Sequence, residues 1–311
     1  MISSNSIFNN LTLGAQNQMT IQTQRNSEIA SGRKVGSVGE NPLDYKTSLN
    51  FRHLLKAAQD NTLAATEAQG RIKSATAALT QMITIMQRID TIRVGLAPGA
   101  NLGDFQGAKT EVETLRANLV KLANTQWRGD SVFSGTEITK LPFTEVSAGM
   151  AADPTTGLMR NVVNVPYAGN AIDRVLVLSS TQTMSANVRG DAAAFADTFA
   201  SIEQFVRGLD HFIAGDVTNG DAFMQSSAAM IATASDGLSS LNSNLAGKLR
   251  AADAQLQIFQ EAENSTKSAM DNFEGADLVS ANAALQQSST NLQIIYSLVG
   301  RLDKLSLINY I

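Results

Sequence analysis

The chain has no cysteine among its 311 residues. Disulfides, thiol catalysis and thiolate metal sites are therefore excluded, and the composition suits a protein exported without cross-linking on the way. Aromatic residues make up only 5%, with a single Trp, and there are two histidines. Charge is sparse as well, at 17% against the roughly 25% of ordinary soluble domains. The net charge of −4 comes with no basic cluster, so neither nucleic acid nor an anionic membrane surface is expected as a partner. No apolar run approaches the roughly 20 residues of a membrane span, so no membrane insertion is expected. The opening MISSNSIFNNLTLG has neither the basic nor the apolar segment of a cleaved secretory signal. Export would have to read something else.

What the chain has instead is hydrophobic spacing. Ala65, Ala68, Ile72, Ala75, Leu79, Met82, Met86 and Ile89 alternate steps of three and four, and the stripe continues backwards through Asn61, Ala58 and Leu54. This is the heptad pattern of helices in coiled-coil contact. A break at Gly95, Pro98, Gly99 and Gly103 precedes a second stripe, Ala108, Val112, Leu115, Leu119 and Leu122, which predicts an antiparallel helical hairpin. The C-terminal third repeats the theme. One seam runs from Ala228 through Ile231, Leu238, Leu245 and Ala252 to Phe259, and another from Leu278 through Ala281, Leu285, Ser288, Leu292, Ile295 and Val299 to Leu302. A weaker stripe at the start passes through Phe8, Leu11 and Ala15.

The middle reads differently. Asn161–Val165 and Arg174–Leu178 are rich in β-branched residues and separated by Gly and Asn, as strands would be. Phe195, Phe199, Ile202, Val206, Leu209 and Ile213 then return to helical spacing. The expected fold is mainly α: a long antiparallel helical bundle or coiled coil formed by both chain ends, with a small inserted mixed β/α outer domain. The expected division is 1–45 with 278–311 as terminal helices, 46–137 with 220–277 as the helical bundle, and 138–219 as the insertion.

SGRKVGSVGENPLDY, residues 31–45, interrupts the first helical stretch. It is not a phosphate-binding loop, because Lys34 precedes Gly36 and no strand leads in. Gly32 suits the position after a helix, where positive φ carries no Cβ penalty, and Arg33 and Lys34 lie near that helix's negative end. Asn41 suits an N-cap, Pro42 the first helical position, and Asp44 the first turn. The segment reads as a stop, a spacer and a restart, with Gly32, Arg33, Asn41, Pro42 and Asp44 as the joint.

Little points to chemistry. His53 and His211 are far apart and read as surface or packing residues, and no metal-binding His spacing occurs. Gly215–Asp221 fails as a calcium loop at Thr218 and reads as a turn in which Asn219 or Asp221 caps the next helix. Trp127 reads as a buried anchor at a domain boundary. Asp130 and Glu137 flank Phe133 with no basic partner evident. No catalytic, cofactor or metal site is expected, and the chain is not expected to be an enzyme.

The order helix, Ser31-Gly-Arg-Lys-Val35, short polar spacer, Asn41-Pro42, long helix resembles the N-terminal region of bacterial flagellins and flagellar hook-associated proteins. Leu292-Gln-Ile-Ile-Tyr-Ser-Leu298 and Leu305–Ile311 resemble the other end of that family. Together the likeness covers roughly residues 1–137 and 220–311. Asn124–Gly129, Val132–Thr136, Pro142-Phe143, Pro166–Gly169 and Asn187–Asp191 resemble the members placed at the junction of hook and filament. The resemblance implies an extracellular structural adaptor at that junction, or alternatively the filament subunit itself. It also implies flagellar type III export and a cytoplasmic chaperone on the C-terminal helix. The implied partners are further copies of the chain, the hook-side junction protein and flagellin.

A physical argument stands beside it. The first 31 residues contain five Asn, five Ser and three Thr. At roughly 0.5 kcal/mol each relative to Ala, they disfavour an isolated helix by about 6 kcal/mol. A buried Leu or Ile returns roughly 1.5–3 kcal/mol, so these helices need a packing partner. Residues 1–35 and 280–311 are expected to be partly disordered in a lone chain. They would order when neighbouring subunits bury Phe8, Leu11, Leu285, Leu292, Ile295, Val299, Leu302 and Leu305.

Overall fold

The computed structural model describes residues 4–34, 41–96, 100–185 and 187–308, with the side chains of 4–5 and 303–308 left out. Among the described residues six α-helices run in chain order: α1 Ser4–Ser31, α2 Pro42–Gly95, α3 Leu102–Ala123, α4 Ala193–Ile213, α5 Val217–Glu274 and α6 Leu278–Ile308. Between α3 and α4 lie three antiparallel two-stranded sheets. They pair β1 (Gln126–Trp127) with β2 (Asp130–Ser131), β3 (Val146–Ala152) with β4 (Met159–Asn164), and β5 (Val175–Ser179) with β6 (Gln182–Ser185). The chain divides into two compact units, residues 61–259 and residues 1–60 with 260–311.

The larger unit is built on the predicted stripes. All of Ala65, Ala68, Ile72, Ala75, Leu79, Met82, Met86 and Ile89 are fully buried, as are Leu238 and Leu245 of α5. Hydrogen bonds between Gln69 and Asp253 (2.6 Å) and between Asn242 and Thr80 (3.3 Å) fix α2 and α5 as antiparallel neighbours. α3 starts at a full capping box: Asn101 accepts from the Asp104 backbone N–H, and Asp104 reaches back to that of Asn101. α4 lays Phe195, Phe199, Ile202, Phe205, Val206 and Leu209 into the core, and Phe212 stacks on Phe105 of α3 at 4.5 Å. Each such buried side chain contributes about 1.5–3 kcal/mol.

The strands are short, and side chains anchor them. The β1–β2 turn is Arg128–Gly129, both with positive φ (52° and 88°), as the tightest hairpin turn demands. The Trp127 ring lies where a Cβ on Gly70 would stand 2.3 Å away, so α2 keeps a glycine there despite the cost of glycine inside a helix. Asp130 does have basic partners: Arg71, whose side chain is buried, at 2.9 Å and Arg174 at 2.7 Å. The predicted strands appear as β4 and β5. β3, VSAGMAA, was not foreseen, since it lacks β-branched residues beyond Val146.

In the smaller unit α1 and α6 run antiparallel. Ser288 donates to the Gln18 carbonyl (2.9 Å), Gln22 donates to Ser289 (3.0 Å), and the Ala276 N–H donates to the Gly32 carbonyl (3.0 Å). Within the stretches expected to be partly disordered in a lone chain, the described residues form α1 and α6, each packed against the other. In α2 the stripe bends away from the expected path. Leu54 is 59% exposed, and Phe51 and Leu55 are the part-buried positions leading to Ala58.

Candidate functional site

Three features concentrate the unusual side chains. The first is the joint. Gly32 follows α1 with φ +65° and open space at its Cβ position. Asn41 accepts from the backbone N–H groups of Leu43 (3.1 Å) and Asp44 (3.2 Å), and its amide donates to Asp44 (2.6 Å). Pro42, with no N–H to lose, is the first residue of α2. Residues 35–40 lie outside the described residues.

A carboxylate that sequence reading missed ties this joint down. Glu274, the last residue of α5, is buried. It accepts from Ser48, from Arg52 at 3.0 and 3.2 Å, and pairs with Arg33 at 3.5 Å. The Lys34 N–H donates to its carbonyl at 2.6 Å, so Arg33 and Gly275 form a β-bridge. Burial alone would raise the Glu274 carboxyl; hydrogen bonds from Arg52 and Ser48 outweigh that and hold it below its ordinary value. Two cations are needed because a carboxylate at a helix C-terminus faces the negative end of the dipole.

The second feature is the apolar surface of the α1–α6 pair. Among the described residues of the smaller unit, the buried hydrophobic side chains are Ala58, Ala281 and Leu292. Large apolar side chains instead meet solvent, including Phe8 at 44%, Val279 at 81%, Ile294 and Leu298. A groove of about 270 Å³, walled almost wholly by apolar atoms, is lined by Phe8, Leu11, Ala15, Met19, Ile295 and Val299.

The third is a buried ionic cluster that clips the β3–β4 hairpin onto α3 and α4. The Asp153 side chain has no solvent exposure. It is gripped by Arg207, lies 3.5 Å from Arg160, and accepts from the Thr155 (2.9 Å) and Thr156 (3.2 Å) backbone N–H groups. Burial would raise its carboxyl, but Arg207 and the two amides hold it far below the usual carboxylate range. Arg160 also meets Glu203 at 2.7 Å and Asp210 at 3.7 Å, and Lys109 of α3 reaches Asp210 at 2.6 Å. Burial pushes Glu203 up in spite of Arg160 and Arg116. His211 is fully buried here, between Asp216 (Nδ1, 3.0 Å) and the Thr156 hydroxyl (Nε2, 3.1 Å). His53, by contrast, is exposed on α2. Asp216, rather than Asn219 or Asp221, caps α5, accepting from the Asn219 backbone at 3.2 Å.

No protein-family model and no curated protein matches the chain. Solved structures do. A protein described as a flagellar hook-associated protein from Vibrio parahaemolyticus superposes with a TM-score of 0.63 at 16% identity, over 76% of this chain and 100% of that one. FlgL from Xanthomonas campestris superposes with a TM-score of 0.56, also at 16% identity, over 71% of this chain and 99% of that one. The chain has the fold of the flagellar hook-associated proteins. Within this hook-associated fold the residues expected to mediate assembly separate by depth. Leu292 is buried between α1 and α6, while Leu11, Leu285, Ile295, Val299 and Leu302 are part-buried along the seam. Phe8 stands outside it, and the Leu305 side chain lies outside the described residues. Gly32, Arg33, Asn41, Pro42 and Asp44 gather where α1 ends and α2 begins, and Arg33 links that point to the end of α5 through Glu274.

Proposed function

We propose that this chain is a structural subunit of the bacterial flagellum that acts as an adaptor at the hook–filament junction. The observation that carries the reading is the α1–α6 pair, which holds one buried Leu in its seam and presents Phe8, Ile294 and Leu298 to solvent. An apolar patch of that kind on a soluble chain marks a protein–protein interface. The fold it shares with hook-associated proteins says which assembly to test. In this reading the terminal helices bind further copies of the chain, the hook-side junction protein and flagellin. Residues 1–45 with 278–311 make the assembling part, 46–137 with 220–277 the bundle, and 138–219 the outward part. Before export a cytoplasmic chaperone covers the C-terminal helix, and the chain leaves through the flagellar type III route to its place outside the cell. Its role is mechanical rather than catalytic.

Gold-labelled antibody against the chain, applied to intact cells, tests this. Label in one band where hook meets filament is the expected result. Label along the whole appendage would make the chain a filament subunit, and label absent from appendages would overturn the flagellar reading.

A further inference from the structure

The β3–β4 loop holds a hydroxyl that the assembly role leaves unused. Thr156 Oγ1 is 3.1 Å from His211 Nε2, and His211 Nδ1 is 3.0 Å from Asp216 Oδ2. Asp216 lies below its ordinary carboxylate value, held there first by hydrogen bonds from Asn219, so it is an acceptor. In the neutral ring whose Nδ1 donates to that carboxylate, Nε2 carries the lone pair and faces the Thr156 hydroxyl. The order hydroxyl, imidazole, carboxylate is the arrangement by which a weak nucleophile is activated: a base in reach of its proton, and a third group fixing the base's tautomer.

The surroundings make this arrangement rigid. Asp153 Oδ1 accepts from the Thr155 and Thr156 backbone N–H groups, and the Gly157 N–H donates to the Asp153 carbonyl (2.8 Å). Gly157 turns the loop with φ +74°. Arg207 donates to the Thr155 hydroxyl at 2.8 Å, and the His211 ring packs against Phe223 with centroids 5.0 Å apart. The charged groups around the imidazole are Asp216 from the start of α5, Asp153 from the hairpin loop (4.0 Å), Arg207 and Asp210 from α4, and Arg160 from β4, through its contact with Asp153. Two carboxylates lie nearest the ring, so the imidazolium formed when His211 takes a proton has counter-charges in place. Thr156 itself is half-buried at the hairpin tip, with Thr155 and Gly157 beside it exposed.

We propose that Thr156 is an activated nucleophile and a site of O-acylation, with His211 as its general base and Asp216 as the positioning residue. The acyl donor is an activated ester. The Thr156 oxygen attacks the ester carbonyl, its proton passes to His211 Nε2, the new Oγ–acyl bond forms as the donor's C–O bond breaks, and His211 gives the proton to the departing oxygen, so the donor leaves as its alcohol. The ester formed on Thr156 is the product.

The test treats the folded full chain with p-nitrophenyl acetate and follows acetyl groups by peptide mass spectrometry. The expected result is acetylation of Thr156 ahead of every other hydroxyl. His211→Gln should slow Thr156 labelling roughly 100-fold, the scale of general-base catalysis, and Thr156→Ser should retain it. Should His211→Gln fail to fold, Asp216→Asn carries the test. It should slow labelling while ¹⁵N NMR shows the His211 proton moved from Nδ1 to Nε2, a readout that a structural role would not produce. Equal labelling of exposed Ser and Thr hydroxyls, or an unchanged Thr156 rate in either folded variant, would overturn the proposal.

Discussion

The two units solve the same packing problem in opposite ways. In residues 61–259 the helical seams close over Ile72, Leu79, Met82, Phe195, Ile202 and Leu209, all with essentially no exposure. In residues 1–60 and 260–311 the helices are as regular, yet the buried positions include Ser48, Ser288, Ala58, Ala281 and Leu292, while Leu11, Leu285, Ile295 and Val299 are only part-buried and Phe8, Val279, Ile294 and Leu298 are exposed. Helix content is therefore no guide to where a chain keeps its stability. The first unit is held by its own interior. The second is held by polar ties and leaves large apolar side chains at its surface.

The sharpest way to break that contrast is to remove one Phe from each unit. Phe195→Ala should cost about 3–5 kcal/mol, because it opens a cavity in a closed core. It should lower the thermal midpoint seen by circular dichroism. Phe8→Ala should cost about 1 kcal/mol or less in the same measurement, since Phe8 is 44% exposed, but should abolish assembly. Equal thermal shifts would erase the distinction between the units.

Next in size is Asp153→Asn, which leaves Arg207 and Arg160 without their shared charge and should cost about 3 kcal/mol. Its carboxyl is depressed in the fold, so its contribution is present above the unfolded value of about 3.9 and lost only in strong acid. Acid titration at neutral-to-moderate pH should therefore leave the β3–β4 hairpin docked, as read by the resistance of residues 146–164 to protease.

Glu274→Gln tests the smaller unit and should cost about 2 kcal/mol, the scale of charge-assisted hydrogen bonds from Arg52 and Ser48. The Glu274 carboxyl is also depressed, so its contribution is present above the unfolded value of about 4.3 and fades as pH falls through the lower folded value. Susceptibility of α1 and α6 to protease should rise in that acid window in the natural chain, and already at neutral pH in the variant. Gly32→Ala tests the joint. The added methyl meets nothing, so the cost is that of a left-handed backbone alone, about 1–2 kcal/mol by denaturant midpoint.

The same contrast decides what the sequence disclosed. The stripe from Ala65 to Ile89 was readable because a heptad is a local repeat, and each of those residues is buried. Asn41, Pro42 and Gly32 were readable because capping is decided within three or four residues. Spacing failed where the seam shifts by one residue, at Leu54 and Leu55, since only the facing helix chooses between them. It failed entirely for the ionic clusters. Asp130 meets Arg71 and Arg174, Glu274 meets Ser48 and Arg52, and His211 meets Thr156, all brought together from distant stretches of chain. Nothing periodic marks such meetings. The role of Asp216 was missed because two other residues in the same turn, Asn219 and Asp221, offered equally good local chemistry.

The smaller unit draws on the first sixty residues and on those after 259, so its two halves bracket everything else in the chain. α1 is the first helix in sequence and α6 the last, and neither finds its seat until both have arrived. A copy cut short before residue 278 could build its whole interior and still lack a finished sticky end. Nesting thus ties the finishing of this unit to synthesis of the last helix: α1 has no α6 to pack against until residues 278–308 have been made.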